Sequence, residues 1–184
     1  MWNYSGLSPL QLKLIDRRVI DLSGEVDLDM AKYTREGLLR LKAEGSPNIE
    51  VRITSHGGVL IYGLDIYDML RLYEGETRAV VFGIAGSIAA VFLQGCTWRC
   101  AGLNARILIH NVNGGGAPFT LDQLRKPKKM ATLRQEAEAA QRRLYSILAK
   151  RTGKSTREIR ATSGKDEEMT AVQARDYGLI DEVL

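Results

Sequence analysis

The chain has 184 residues, 45% of them hydrophobic and 26% charged, with a formal net charge of +4. Such a chain can fill one sizeable core, so a single domain over residues 1–184 is expected and two fit only with difficulty. The mildly basic balance is scattered rather than gathered on one stripe, which counts against nucleic-acid binding, and no run of about 18 apolar residues exists to cross a membrane. Met1 to Gly6 has no basic start followed by an apolar run, so a secretory signal is not expected and the location implied is cytoplasmic. Cys96 and Cys100 lack the histidines or further cysteines of a zinc site and read as free, mostly buried thiols.

In chain order, residues 1–16 read as a short irregular arm. Arg18 to Leu22 alternates as a strand and ends in a turn at Ser23-Gly24. From Asp27 to Glu44 apolar residues recur at helical spacing until Gly45-Ser46-Pro47 stops them. Ile49 to Thr54 alternates as a half-buried strand interrupted by Gly57-Gly58, and Leu60 to Tyr73 follows as an amphipathic helix. Thr77 to Ile84 reads as a buried strand and Ser87 to Gly95 as a helix buried on most sides. Ala105 to His110 is the next strand. Asn113 to Pro118 is an extended or mobile stretch, and Thr120 to Arg151 holds one long polar helix interrupted near Pro127. Helices over Ser155–Arg160 and Ala171–Tyr177 precede a last short strand, Leu179–Leu184. Strand and helix alternate through short connections, the pattern of an α/β domain.

Three strand-to-helix junctions carry residues capable of chemistry. At Gly57-Gly58 paired glycines can bring backbone N–H groups close to a ligand, as an oxyanion site requires, although a plain tight turn explains the pair equally well. Ser87 sits among small residues in Gly83-Ile84-Ala85-Gly86-Ser87-Ile88 at a helix start, as either an accessible nucleophile or an ordinary N-cap. His110, one of only two histidines, ends an apolar strand, as either a hydrogen-bonded core residue or the base that deprotonates a serine. In open α/β sheets the functional crevice lies outside the carboxyl ends of the strands, and all three candidates fall there.

Several blocks then occur in order: Thr54-Ser55-His56-Gly57-Gly58-Val59, Gly63-Leu64-Asp65-Ile66-Tyr67-Asp68, Gly83 to Ile88, Asn104 to His110, and Thr152-Gly153-Lys154-Ser155 through Asp166 to Asp181. Together they resemble the proteolytic subunit of the Clp protease over about residues 17–184. The resemblance implies a crotonase-like ββα spiral, in the α/β class, with a protruding helical handle near residues 113–150. It implies a serine endopeptidase whose core chemistry needs no ATP, with Ser87 as nucleophile, His110 as general base and Asp166 as the acid that orients the imidazole. Glu167 or Glu168 would take the acid's place if the register slips. It implies oxyanion donors at the N–H groups of Gly58 and Ile88, and a substrate-binding edge formed by Gly57, Asn113, Gly114 and Gly115. No cofactor and no metal are implied. The implied partners are polypeptide substrates and further copies of the chain, stacked as two heptameric rings.

The sequence departs from that pattern in five places. His56 stands where the family usually has proline. The N-terminal arm is short. Glu50 and Arg52 occupy a strand where the family presents tyrosines to an AAA+ unfoldase, and charges there disfavour an apolar loop, so that partner is not expected with the usual contacts. The handle segment is longer by a turn or two and contains Arg125-Lys126-Pro127-Lys128-Lys129, read as a solvated insertion, and Gly164-Lys165 replaces a charged pair used between rings. Two rival readings share the fold. One is an acyl-CoA enzyme of the crotonase superfamily, which needs no nucleophilic serine. The other is a catalytically silent subunit of a mixed ring, which would have lost triad residues.

Overall fold

The computed structural model describes residues 6–112 and 127–184. Its sheet is built on β1 (Val19–Val26), β2 (Ile49–Gly58), β3 (Thr77–Gly86), β4 (Trp98–Ala101) and β7 (Glu182–Val183), neighbours in that order and all parallel. The helices are α1 (Pro9–Asp16), α2 (Leu28–Ala43), α3 (Leu60–Arg71), α4 (Ile88–Phe92), α5 (Pro127–Thr152), α6 (Thr156–Ser163) and α7 (Ala171–Tyr177). Strand alternation places Ile49, Val51 and Ile53 of β2 in the core and turns Glu50, Arg52 and Thr54 outward. Burying each such aliphatic side chain stabilises the fold by about 1.5–3 kcal/mol. Helix α2 starts where the Asp27 carboxylate accepts the Met30 N–H at 2.9 Å, and its stripe Met30, Tyr33, Thr34, Leu38 and Leu41 closes over that core.

The feature that shapes the functional end of the molecule is a fork in β3. Arg78 to Val81 pairs with β4, whereas Ile84 to Gly86 pairs with β5 (Arg106–Leu108), which in turn pairs antiparallel with β6 (Glu168–Thr170). Against β2 the register jumps from Ile53↔Val81 to Ser55↔Ala85, so β3 contains two more residues than its partner at this point. Gly83, at φ +71, lets the strand turn there, and the Thr54 hydroxyl donates to the Phe82 carbonyl at 2.7 Å, satisfying a group that the ladder abandons. One strand thus feeds two branches, and β5 arrives beside the carboxyl end of β3.

Several sequence expectations are corrected. Residues 9–16 are not an irregular arm but helix α1. A reciprocal capping box joins Ser8 and Gln11, and Ile15 is fully buried. Strand β1 does not end in a turn at Ser23-Gly24. It passes through a bulge there, because Glu25 and Val26 still pair with Gly57 and Gly58. For the same reason the glycine pair continues β2 rather than interrupting it. Strands β4 and β6 carry no sequence signal. In β4 the alternation is hidden by Arg99, a buried cation whose guanidinium donates to Asp181, to Gln94 and to the Gly178 carbonyl. That network ties the segment before β7 to the sheet. The long polar helix is described over Pro127–Thr152, and residues 120–126 of the expected helix lie outside the described residues. With them lie Arg125 and Lys126 of the basic run, whose Lys128 and Lys129 are solvent-exposed on α5.

Candidate active site at the carboxyl ends of β2, β3 and β5

Ser87 occupies the single residue between β3 and α4. Its backbone adopts φ 57° and ψ −127°, a conformation that non-glycine residues avoid at a cost of about 1–3 kcal/mol. Two constraints impose it. The Ser87 N–H donates to the Leu108 carbonyl at 2.9 Å, and the Ala90 N–H returns to the Ser87 carbonyl at 3.1 Å, so the chain must leave a strand and enter a helix within one residue. Ser87 stands at the N-cap position, yet its hydroxyl makes no capping bond, which leaves the oxygen available for other work. A strained serine on a sharp strand-to-helix turn is how a nucleophile is lifted clear of a sheet.

Gly57 approaches this turn from β2. A side-chain carbon on Gly57 would lie 2.6 Å from Ser87 Cβ, 2.9 Å from the Gly86 carbonyl oxygen and 3.2 Å from Ser87 Oγ, and φ is +106°. Glycine is therefore required both by space and by conformation. The Gly57 N–H is held by the hydroxyl of Ser55, a buried residue two positions earlier, at 3.1 Å. Ser55 is a supporting residue that sequence reasoning passed over; a serine two places before a glycine, the spacing of a short side-chain turn, was the signal. Gly58 packs instead on the backbone of Val26 in β1. Ile88 is the first residue of α4, where a backbone N–H has no acceptor within its own helix. Its side chain is pinned by α3, which passes so close at Gly63 that any side chain there would strike Ile88.

His110 lies two residues beyond the end of β5 and Asp166 two residues before the start of β6. The antiparallel register Arg106↔Thr170, Ile107↔Met169, Leu108↔Glu168, continued outward by two places, sets Asp166 opposite His110 and Glu167 opposite Ile109. In agreement, Asp166 Oδ1 is 3.9 Å from His110 Nδ1. Glu168 lies back along the ladder beside Leu108. The imidazole is 16% exposed, whereas the carboxylate is 71% exposed and held by a backbone at φ 57°. At 3.9 Å the pair is within Coulombic reach but beyond a hydrogen bond. The other histidine, His56, is exposed on β2, with its backbone close against Gly86.

The structure therefore brings Ser87, Gly57 and the N–H-bearing residue Ile88 together, sets His110 two residues past the end of β5, the strand that adjoins the Ser87 turn, and places Asp166 next to His110. Asn113, Gly114 and Gly115, expected as a substrate edge, lie outside the described residues. The thiols offer no rival nucleophile. Burial pushes Cys96 up to about 12, against smaller opposing effects of Thr77, Arg151 and Arg99; burial likewise raises Cys100, with Glu182 adding to the effect. Among the described residues no group of three or more His, Cys, Asp or Glu side chains is placed to hold a metal ion.

A model of the Clp protease family matches residues 7–184. The chain belongs to that family. One relative is the ATP-dependent Clp protease proteolytic subunit 1 of Salinibacter ruber (strain DSM 13855 / M31), 31% identical over 175 residues that cover 94% of this chain and 72% of that protein. Family membership brings the crotonase-like fold, consistent with the parallel, forked α/β sheet, and a peptidase of the Clp type. Among the described residues no helix is long and apolar enough to cross a membrane.

Proposed function

We propose that this Clp-family chain is a serine peptidase that cleaves polypeptides through an acyl-enzyme formed on Ser87. One observation carries the reading. A strained serine whose hydroxyl makes no capping bond stands at the carboxyl end of β3, the strand that pairs with β5 on the way to His110. His110 accepts the Ser87 proton as Oγ adds to the peptide carbonyl carbon. The resulting oxyanion is met by the N–H groups of Gly58 and Ile88, each such donor lowering the barrier by about 3–4 kcal/mol. His110 then returns the proton to the leaving amine, and water repeats the sequence to release the acid. Asp166 keeps the imidazole oriented. At 3.9 Å the carboxylate lies close enough to act on charge that develops on the ring.

The peptide-bond chemistry consumes no nucleotide. The chain works as a homo-oligomer in the cytoplasm, in stacked heptameric rings that enclose the site, with 1–184 as one peptidase domain and residues 113–150 as the handle. Support for an altered unfoldase contact comes from the outer face of β2 and β3. There Arg52 pairs with Glu50 at 2.7 Å and Arg78 approaches the same carboxylate at 3.8 Å, charges set beside the exposed side chains of Phe82 and Trp98.

The test is direct. Ser87→Ala removes hydrolysis of small fluorogenic peptides and leaves assembly intact, and a fluorophosphonate labels Ser87 alone in the wild-type chain. Labelling of a different serine, or none in an assembled and active preparation, rejects the assignment.

A further inference from the structure

Helix α5 has two unlike halves. From Pro127 to Arg143 no side chain is buried, and the first buried residues are Leu144, Tyr145 and Leu148. At this point of docking, Gln141 and Tyr145, four residues apart and so on one helix face, reach the same short stretch of chain. The Tyr145 hydroxyl donates to Asn111 Oδ1 at 2.6 Å, and Gln141 Oε1 accepts the Val112 N–H. Those are the two residues that follow His110. Strand β5 ends at Leu108, so the ladder no longer holds the backbone at His110, Asn111 and Val112. The carboxylate beside the imidazole is exposed and too distant for a hydrogen bond, so it cannot fix the ring alone. Among the described residues, the side-chain hydrogen bonds that reach Asn111 and Val112 come from α5.

We propose that Tyr145 and Gln141 are positioning residues for His110, holding the imidazole in line with Ser87 from the handle helix. The inference rests on the serine-peptidase reading above and names a part of its machinery that lies outside the triad. The Tyr145 ring, only 6% exposed, is anchored by the core, and its hydroxyl transmits that anchorage to Asn111. Loss of the hydroxyl frees the segment after the base without removing the packing of the ring.

Tyr145→Phe, Asn111→Ala and the double variant are compared with Tyr177→Phe in the full-length chain. Tyr177 supplies the control because its hydroxyl bonds Thr162 at 3.0 Å, a partly buried side-chain contact on another pair of helices. The readouts are the second-order rate of fluorophosphonate labelling at Ser87, the melting temperature, and the His110 imidazole resonance, assigned against His56 as the chain's other histidine. Tyr145→Phe and Asn111→Ala each slow labelling about tenfold, the double variant slows it no further, and Tyr177→Phe changes melting alone. Labelling of Tyr145→Phe at the wild-type rate, or effects of the two single changes that multiply, overturns the proposal. If the wild-type chain is not labelled, the serine-peptidase reading is what has failed, and the resonance decides the positioning. A His110 shift in Tyr145→Phe absent from Tyr177→Phe supports it, and no shift refutes it.

Discussion

Replacing Gly57 by alanine isolates the contact between β2 and the Ser87 turn. Two costs add at this position. At φ +106° an L-residue is strained by about 1–3 kcal/mol. The new methyl would also stand 2.6 Å from Ser87 Cβ and 2.9 Å from the Gly86 carbonyl oxygen, well inside van der Waals contact, and relieving such overpacking costs about 1–3 kcal/mol more. The sum, about 2–6 kcal/mol, is a large share of the stability of an ordinary domain, and each kcal/mol lowers the melting temperature by about 2–4 °C at this size. Gly153→Ala separates the two costs. Its φ is +70°, but nothing lies within 4 Å of the added carbon, so it meets the conformational strain without the clash. We expect Gly57→Ala to melt below Gly153→Ala and, at a temperature where both are folded, to lose at least tenfold in fluorophosphonate labelling of Ser87 while Gly153→Ala labels normally. Equal labelling of the two variants would refute the argument that β2 sets the position of the Ser87 side chain.

Two further outcomes test the neighbouring chemistry. Asp166→Asn should slow labelling of Ser87 by tenfold or more with little change in melting, because the carboxylate is exposed, whereas Glu167→Gln should do neither; the reverse ranking in paired rate and melting measurements contradicts the β5–β6 register. Asp181 sets an acid limit on stability. Burial alone would raise its carboxyl, but hydrogen bonds and charge from Arg99, with Arg151 behind, hold it below the ordinary value. A depressed carboxylate contributes stability that is present above its unfolded value near 4 and is lost as pH falls through the lower folded value. Asp181→Asn should therefore flatten the fall in melting temperature below about pH 4. Asp181→Ala, which strands the buried Arg99 cation, should cost about 3–5 kcal/mol at neutral pH in denaturant titrations, and a loss below about 1 kcal/mol would show that Arg99 finds other partners.

Much of the architecture is written locally. The apolar stripe from Met30 to Leu41 and the alternation of Ile49, Val51 and Ile53 specify α2 and β2 because burial on one face repeats with the period of the element itself. The three junctions at Gly57-Gly58, Ser87 and His110 were visible for the same reason, each standing where one period gives way to another or where an apolar strand ends. Helix α1 escaped notice because only Ile15 of its eight residues is buried, although the Ser8 to Gln11 spacing of a capping box was present. Strand β4 was hidden by Arg99, whose burial makes sense only once Asp181 stands beside it.

What the tertiary structure alone decided is how distant pieces register. Nothing local tells β3 to abandon β4 and pair with β5, or sets Asp166 rather than Glu167 opposite His110. Nor does helical periodicity show that Gln141 and Tyr145 will reach the two residues after the base. Composition and periodicity record which side of an element avoids water. Alignment between strands, and between helix and loop, depends on hydrogen bonds and close contacts formed only when segments far apart in the chain meet.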